Sequence, residues 1–301
     1  MIRTVCVVGC GTVGVSWAAL FSAGGYDVVA VDPAAGAEAK LHAFLERARP
    51  QLARLGLAGE GRVVFAADAD DAVASADFIQ ENGPESEAAK RALLARIDTV
   101  AQPHAIVASS TSALLRSAIV ADCVRRHRHI VAHPFNPPHL VPLVEIVGED
   151  DEVVARACDF YRSLRRRPIV LKREMAGHIA NRLSSALYRE AVHLVEQGVA
   201  SVADIDAALC EGPGLRWAVM GPHMTYHLGG GDGGIAHYLD HLGPSQERRW
   251  ASLGRPTLTP DVKAAIVAGV ADEANGRDIA TLERERDRLL EEIVALRGRT
   301  R

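Results

Sequence analysis

The chain contains 301 residues, of which 48% are hydrophobic and 24% charged, and it carries a formal net charge of −4 at pH 7. This length allows two domains, each with a buried core. Since the charge is slightly negative and no apolar run reaches the roughly 20 residues of a membrane-spanning helix, neither nucleic acid nor a membrane is an expected partner.

A strand pattern occupies residues 2–8, at the start of the sequence. A signal peptide would need a charged and an apolar segment ahead of the fold, and we expect none here. The five cysteines are scattered and include no CxxC pair, which is typical of reduced thiols. We therefore expect a cytoplasmic protein.

A glycine-rich turn follows this strand and leads into a helical pattern. In such a turn the first glycine permits the tight bend, the second lets the backbone approach a pyrophosphate, and the third lets the helix pack closely on the strand. The start of the helix offers unpaired N–H groups and the positive end of its dipole to phosphates. A glycine-rich turn that binds no nucleotide is the alternative. The pattern predicts a dinucleotide-binding turn formed by Gly9, Gly11, Thr12, Val13 and Gly14.

The second strand pattern, residues 26–31, ends in Asp32. An acid at this place in the fold accepts hydrogen bonds from the adenosine ribose hydroxyls. The next residues, Pro33-Ala34-Ala35-Gly36, include no arginine that could balance a 2′-phosphate. The sequence therefore predicts NAD rather than NADP as the cofactor.

Three further strand patterns, at residues 62–66, 77–80 and 105–108, are separated by helical patterns at 37–57 and 87–100. The helix at 37–57 carries several arginines and could protrude as an arm. Glu81 and Glu85 follow one strand, and a run of hydroxyls ending at Ser112 follows another. Ligands bind at the carboxyl edge of such sheets, so these side chains could contact one. The alternatives are acids that complement a helix dipole and hydroxyls that cap the next helix.

His133 follows an apolar run, residues 130–132, and leads into a proline-rich turn whose backbone direction the prolines fix. Glu145 lies inside a second apolar run, residues 143–147. Because burying a lone charge is costly, the economical partner of Glu145 is a histidine whose ring it would orient and whose cationic form it would favour. The pair predicts a general acid/base. The alternative is a turn-capping histidine and a solvent-facing glutamate.

The arginine cluster at Arg165-Arg166-Arg167-Pro168 predicts a solvated loop, and a short strand follows at residues 169–171. From there the patterns are helical, at residues 177–198, 201–209 and 279–296. Asn181 lies near the start of the first of these helices and could point into a cleft. We therefore expect an α/β fold, with a Rossmann-type doubly wound sheet at residues 1–175 followed by an all-α domain at 176–301.

Two histidine pairs in the second half, His223 with His227 and His237 with His241, have a spacing that could bind a metal on a helix. No HExxH glutamate and no clear third ligand accompany them, so we expect no metal site. Three large aromatic residues of this half either belong to a core or form a wall for a cationic group by cation–π attraction; they are Trp217, Tyr226 and Trp250.

Together these motifs resemble the 3-hydroxyacyl-CoA dehydrogenase family over essentially the whole chain. The motifs that carry the resemblance are the glycine-rich turn, Gln80-Glu81-Asn82-Gly83-Pro84-Glu85, Ser109-Ser110-Thr111-Ser112, His133-Pro134-Phe135-Asn136-Pro137 with Glu145, and Gly177-His178-Ile179-Ala180-Asn181-Arg182.

The resemblance implies a role for each matching residue. His133 would be the catalytic acid/base and Glu145 its orienting partner, and the reacting oxygen of the substrate would be held by Ser112 and Asn181. Asp32 matches the ribose-binding acid, and the positions that contact the nicotinamide end of the cofactor match Glu85 and Lys90. The implied protein is an NAD-dependent oxidoreductase that forms a homodimer.

The chain departs from the acyl-CoA members of this family in two places. Those members usually carry Pro-Gly-Phe before the Asn-Arg pair, where this chain has Ala176-Gly177-His178. The second half, with Gly212-Pro213-Gly214 and Gly221-Pro222, is more similar to the branch of the L-carnitine dehydrogenases and lambda-crystallins (L-gulonate 3-dehydrogenases), which use free acids. We expect a small L-3-hydroxy acid, oxidised reversibly to the 3-keto compound. The alternatives are a 3-hydroxyacyl group on CoA or a carrier, and a non-catalytic, crystallin-like NAD(H)-binding protein.

Overall fold

The computed structural model describes residues 2–299. Eight strands form one sheet, and its members are β1 (Thr4–Val8), β2 (Asp27–Val31), β3 (Val63–Phe65), β4 (Phe78–Glu81), β5 (Ile106–Ser109), β6 (His129–Pro134), β7 (Leu143–Val147) and β8 (Arg167–Val170).

The strand order is β3-β2-β1-β4-β5-β6-β7-β8, and every neighbouring pair is parallel except β6 with β7. The chain moves outward from β1 to β3 and then returns to the middle of the sheet at β4. Such a reversal opens a crevice at the carboxyl ends of β1 and β4, where open α/β folds bind ligands. The prediction of a Rossmann-type sheet is confirmed.

Thirteen α-helices connect and follow the strands within the described residues. They are α1 (Thr12–Ala23), α2 (Ala37–Arg54), α3 (Ala69–Ala74), α4 (Glu87–Val100), α5 (Arg116–Ile119), α6 (Asp151–Ser163), α7 (Ala180–Glu196), α8 (Val202–Leu209), α9 (Leu215–Val219), α10 (Pro222–Gly229), α11 (Gly234–Ser252), α12 (Pro260–Ala274) and α13 (Ile279–Arg299).

Helices cover both faces of the sheet. Along β1, Val5 and Val7 belong to one core cluster, which includes residues of α1, α2 and α6, while Cys6 and Val8 belong to a second, which includes residues of α3 and α4. This alternation is the side-chain period of a strand. Because both faces are buried, the strands read as continuous apolar runs in the sequence.

The possibility that residues 37–57 form a protruding arm is wrong. Helix α2 buries Ala37, Leu41, Ala48 and Leu52, and these residues belong to the same core cluster as α1. The arginines of this segment therefore lie on a helix that is part of the sheet domain.

The prediction of a solvated arginine loop before β8 is also wrong in part. Arg167 and Pro168 are residues of β8, and Arg166 is only 5% exposed. The Arg166 guanidinium donates to the carbonyl oxygens of Leu164 (3.0 Å) and Pro138 (2.9 Å). Since Pro138 lies in the loop that follows β6, this buried arginine fixes the segment that leaves His133.

The chain divides into two compact units. Residues 1–182 with 290–295 form the first, which contains the whole sheet, and residues 183–289 with 296–301 form the second, whose regular elements are helical. In the second unit Ser201 caps α8 by accepting from the N–H of Asp204. Among the described residues, no helix is both long and apolar enough to span a membrane.

Candidate active site

The glycine-rich turn lies between β1 and α1, at the crevice of the sheet. Gly9 has a φ of 92°, and a Cβ atom on it would lie 2.8 Å from the carbonyl oxygen of Asn82. A Cβ atom on Gly14 would collide with the carbonyl oxygen of Gly9. Over Gly11, by contrast, a Cβ atom would meet nothing within 4 Å. Two glycines therefore shape the turn, and the third leaves open space in which a ligand can approach the backbone.

The start of α1 is suited to an anion. Gly11 precedes the helix, and no side chain in the described part of the chain caps this end. Thr12 is exposed and Val13 half-buried in the first turn. The N–H groups of a first helical turn lack partners inside the helix, so they are available to a pyrophosphate.

Asp32 lies at the end of β2, next to the glycine-rich turn. Its carboxylate accepts from the N–H of Cys10 (2.6 Å) through one oxygen and from the N–H of Ala34 (2.7 Å) through the other. A half-buried carboxylate fixed in this way keeps lone pairs for ribose hydroxyls and would repel a 2′-phosphate. The open turn, the uncapped helix and this acid together fit NAD.

Lys90 lies on α4 and forms a buried ion pair with Glu81 at the end of β4. Its ammonium donates to both carboxylate oxygens of Glu81 (2.9 and 3.1 Å) and to the carbonyl oxygen of Gly83 (3.1 Å). The two side chains are 1% and 0% exposed. The ammonium is thus held within the protein, and a contact between Lys90 and the cofactor remains a prediction.

Glu85 binds the run of hydroxyls that follows β5. One carboxylate oxygen accepts from the hydroxyl of Thr111 (2.7 Å) and from the N–H groups of Ser112 (2.8 Å) and Ala113 (3.1 Å). Burial alone would raise the pKa of Glu85, but the bonds from Thr111 and Ser112 and the nearby ammonium of Lys90 bring that pKa below its usual value. The charged form of Glu85 therefore fixes the segment that carries Ser112.

His133 and Glu145 face each other across the antiparallel pair β6 and β7. Their Cα atoms are register partners, and the Nδ1 of His133 is 2.8 Å from one carboxylate oxygen of Glu145. The side chains are 4% and 0% exposed. Because a carboxylate only accepts, this bond places the proton of the neutral ring on Nδ1 and leaves Nε2 as a base.

The second oxygen of Glu145 binds the start of α7. It accepts from the N–H groups of Ile179 (2.8 Å) and Ala180 (3.0 Å). Burial alone would raise the pKa of Glu145, but these bonds and the one from His133 lower it below its usual value. One carboxylate therefore links the ring of His133 to the residue next to Asn181.

The segment at residues 111–113 is held from its other side by residues 177–181. The carbonyl oxygens of Thr111 and Ser112 accept from the Nε2 of His178 (3.3 Å) and the Nδ2 of Asn181 (3.0 Å). The rings of His178 and His133 lie 5.1 Å apart. The four predicted catalytic residues, His133, Glu145, Ser112 and Asn181, are thus parts of one connected network.

Two buried histidines of this region were not among the predicted site residues. His178 is 2% exposed and lies beside His133. His139 is also buried: its N–H donates to the Ser16 hydroxyl (3.0 Å), and its Nδ1 lies 2.8 Å from the same oxygen. The signal available was a second histidine in the proline-rich turn, but sequence does not show that α1 supplies its partner.

The other candidates lie in the helical unit. Tyr226 stacks on Tyr238 with ring centroids 4.7 Å apart, while Trp217 and Trp250 are 37% and 60% exposed. The rings of His237 and His241 stack, and His227 accepts from the N–H of Ile235. Within residues 2–299, no group of three or more His, Cys, Asp or Glu side chains is arranged to hold a metal ion.

Comparison with known proteins agrees with this geometry. The family model for the 3-hydroxyacyl-CoA dehydrogenase NAD-binding domain matches residues 4–175, and that for the C-terminal domain matches residues 177–256. The chain belongs to the 3-hydroxyacyl-CoA dehydrogenase family. It is therefore an NAD-dependent oxidoreductase of hydroxy acids, and the predictions of the family, the cofactor and the enzyme class are confirmed.

Known proteins match this chain over nearly its whole length. The chain is 46% identical to an L-carnitine dehydrogenase of Bacillus cereus, over 98% of this chain and 92% of the relative. It is 47% identical to an L-carnitine dehydrogenase of Streptomyces coelicolor, over 99% and 96%. A solved structure of 5-formyl-3-hydroxy-2-methylpyridine 4-carboxylic acid 5-dehydrogenase, an NAD+ dependent dismutase, superposes with a TM-score of 0.85 at 32% identity, with 99% of each chain covered.

Proposed function

We propose that the protein oxidises the 3-hydroxyl of L-carnitine or a similar small L-3-hydroxy acid to the 3-keto compound, reversibly, with His133 as the acid/base. The observation that carries this proposal is the buried bond between His133 and Glu145, which leaves one ring nitrogen as a base. The similarity to proteins named L-carnitine dehydrogenase along nearly their whole length supports the substrate.

The chain's own residues supply the proton transfer and the positioning. His133 removes the proton of the 3-hydroxyl at its Nε2, and Glu145 keeps the ring in the required tautomer and stabilises the imidazolium. Asn181 and, once its hydroxyl turns away from Glu85 (3.1 Å), Ser112 donate to the substrate oxygen as it becomes a carbonyl, and in the reverse direction they stabilise the developing alkoxide. NAD, when bound, supplies the nicotinamide that accepts the hydride from C3.

The cofactor would be held by the residues around the crevice. We assign the pyrophosphate to the turn and helix start, the ribose to Asp32, and the nicotinamide end to Glu85 and Lys90; the turn residues are Gly9, Gly11, Thr12, Val13 and Gly14. Lys90 is already paired with Glu81. A contact to the cofactor would therefore require the Lys90 ammonium to donate to the cofactor as well as to Glu81.

The substrate is tested by measuring NADH formation from NAD with L-carnitine, L-gulonate and L-3-hydroxybutyryl-CoA at one enzyme concentration. Turnover of L-carnitine is the expected result. Replacing His133 with alanine should lower that turnover by a factor on the order of 10² to 10⁴ and leave NADH binding intact. A fully active His133→Ala variant would refute the assignment of the base.

Two other functions have support. The family is defined by 3-hydroxyacyl-CoA dehydrogenases, so an acyl-CoA or carrier-bound substrate is the second candidate. Turnover of the thioester alone would establish it. The third candidate is a non-catalytic, crystallin-like protein that binds NAD(H), and the intact network of His133, Glu145, Ser112 and Asn181 argues against it. Binding of NADH without turnover of any 3-hydroxy or 3-keto compound would favour it.

We also propose that the protein is a cytoplasmic homodimer in which residues 1–175 bind NAD and residues 176–301 bind substrate and pair the subunits. The described part of the second unit buries few large apolar side chains, Val192 and Val262, and exposes many, such as Leu183, Val219 and Val267. Exposed apolar surface of this extent is typical of an interface. A stable monomer in light scattering would refute the dimer.

Trp217, Tyr226 and Trp250 stay candidates for binding a quaternary ammonium group.

A further inference from the structure

His178 is a second buried histidine beside the proposed base. Its ring is 2% exposed and lies 5.1 Å from the ring of His133, with an angle of 37° between the two planes. The residue has a φ of 49°, which side chains rarely adopt, and it follows Gly177 at 75°. The turn therefore holds this ring in place at a cost in backbone strain, which is typical of functional sites.

One nitrogen of His178 has a partner and the other has none. Nε2 lies 3.3 Å from the carbonyl oxygen of Thr111, and because a carbonyl only accepts, Nε2 carries the proton. Nδ1 is then a bare acceptor, and it is buried without a hydrogen-bond partner in the described residues. A buried polar atom left unpaired is costly, so its presence here calls for an explanation.

Among the charged groups around His178, only one could interact favourably with the unpaired Nδ1. Its neighbours are His133, Glu145 and Glu85. The two carboxylates are acceptors and cannot satisfy another acceptor, and the ammonium of Lys90, which lies 3.7 Å from Glu85, already donates to Glu81 and to Gly83. His133 is the neighbour in this set that becomes positive during the reaction.

We propose that His178 is a positioning residue that acts through His133: its neutral ring, with the lone pair of Nδ1 unpaired, stabilises the proton that His133 takes from the substrate. This inference rests on the proposed role of His133 as the acid/base. Burial, and then the charge on a protonated His133, lower the pKa of His178, which favours the neutral form of its ring. A second imidazolium would instead repel the first.

The test compares His178→Phe, which removes the acceptor, with His178→Asn, which keeps a side-chain acceptor and tolerates the left-handed backbone. Without the acceptor, the imidazolium of His133 loses stabilisation, and the acid limb of kcat/KM for oxidation should move down by about 0.5–1 pH unit. Keto reduction above that limb should slow by roughly three- to tenfold. The asparagine variant should recover at least half of the shift. His104→Asn, which alters an exposed histidine paired with Asp77, should cause no shift.

A second measurement needs no substrate and no variant of His178. In the wild-type protein with labelled histidines, NMR should show a neutral His178 ring whose Nδ1 signal shifts when the ring of His133 takes up a proton. An unchanged pH limb in His178→Phe, or protonation of His178 before His133, would overturn the inference. Because the titration is independent of turnover, the two failures can be told apart: an inactive protein would contradict the proposed function, whereas an active protein in which His178 is protonated first would contradict only this inference.

Discussion

Replacing Glu145 with glutamine should separate the two roles of this carboxylate. One oxygen accepts from His133 at 2.8 Å, and the other accepts from the N–H groups of Ile179 at 2.8 Å and Ala180 at 3.0 Å. A glutamine has a single acceptor oxygen and therefore cannot satisfy both sides. If its amide N–H₂ faces His133, the ring must accept through Nδ1 and carry its proton on Nε2, which is the wrong tautomer for a base.

The size of the effect follows from these contacts. Loss of the correct tautomer and of the charge that stabilises the imidazolium should lower kcat/KM on the order of 10²- to 10⁴-fold, or about 3–5 kcal/mol of transition-state stabilisation. The opposite orientation of the glutamine directs its N–H₂ at two backbone N–H groups near Asn181. The resulting unpaired donors should reduce the free energy of unfolding by about 1–3 kcal/mol.

The assay is NADH formation with L-carnitine over a range of pH, together with NADH binding and urea denaturation. The matched control is Glu149→Gln, which removes the same charge from a half-exposed glutamate beyond β7 that pairs with Arg116. The control should keep nearly full activity. If Glu145→Gln retains kcat/KM within tenfold of the wild type, Glu145 does not orient the base, and the reasoning from the register of β6 and β7 is wrong.

Three further outcomes are expected. Asp32→Asn should shift the ratio of NADP to NAD affinity toward NADP on the order of tenfold, because it removes the charge that a 2′-phosphate would meet; Asp27→Asn, on the same strand, should not. Arg166→Met should lower the free energy of unfolding in urea by about 2–4 kcal/mol, because it leaves buried carbonyl oxygens without donors, whereas the exposed Arg162→Met should change it little. Burial holds the pKa of His129 at about 4 against an ordinary value of 6.5. Between pH 6.5 and 4, His129 is therefore protonated in the unfolded chain and neutral in the folded chain. The stability of the wild type should therefore fall as the pH drops from 6.5 toward 4, and the fall should be shallower in His129→Gln; equal slopes would contradict this.

The parts of the fold that depend on local pattern could be predicted. Buried parallel strands are apolar runs in the sequence, and the turn at Gly9 to Gly14 requires glycine because Gly9 has a positive φ and a Cβ atom on Gly14 would collide with the carbonyl oxygen of Gly9. The predicted bounds of α4, Glu87–Val100, agree with the structure, and the apolar run at residues 143–147 forms β7, Leu143–Val147. By contrast α6, Asp151–Ser163, was not predicted, although its buried side chains cover one face of the sheet.

The contacts between distant polar residues could not be predicted. An arginine in a basic cluster is usually solvated, and only the three-dimensional path of the loop after β6 brings Pro138 to Arg166. The same holds for Asp98, whose buried carboxylate on α4 pairs with Arg128, just before β6. Such pairs depend on which strands are neighbours and in which register, and a single sequence does not contain that information.

The arrangement of the two carboxylates explains how the site keeps its geometry. Glu85 holds the N–H groups of the segment at Ser112, and residues 177–181 hold the carbonyl oxygens of the same segment. Glu145 in turn fixes residues 179–180 and the ring of His133. The base and the groups assigned to the substrate oxygen are therefore connected through a few short bonds, many of them to charged acceptors. Because such bonds are strong and the groups are ordered before substrate arrives, little reorganisation is required during the reaction.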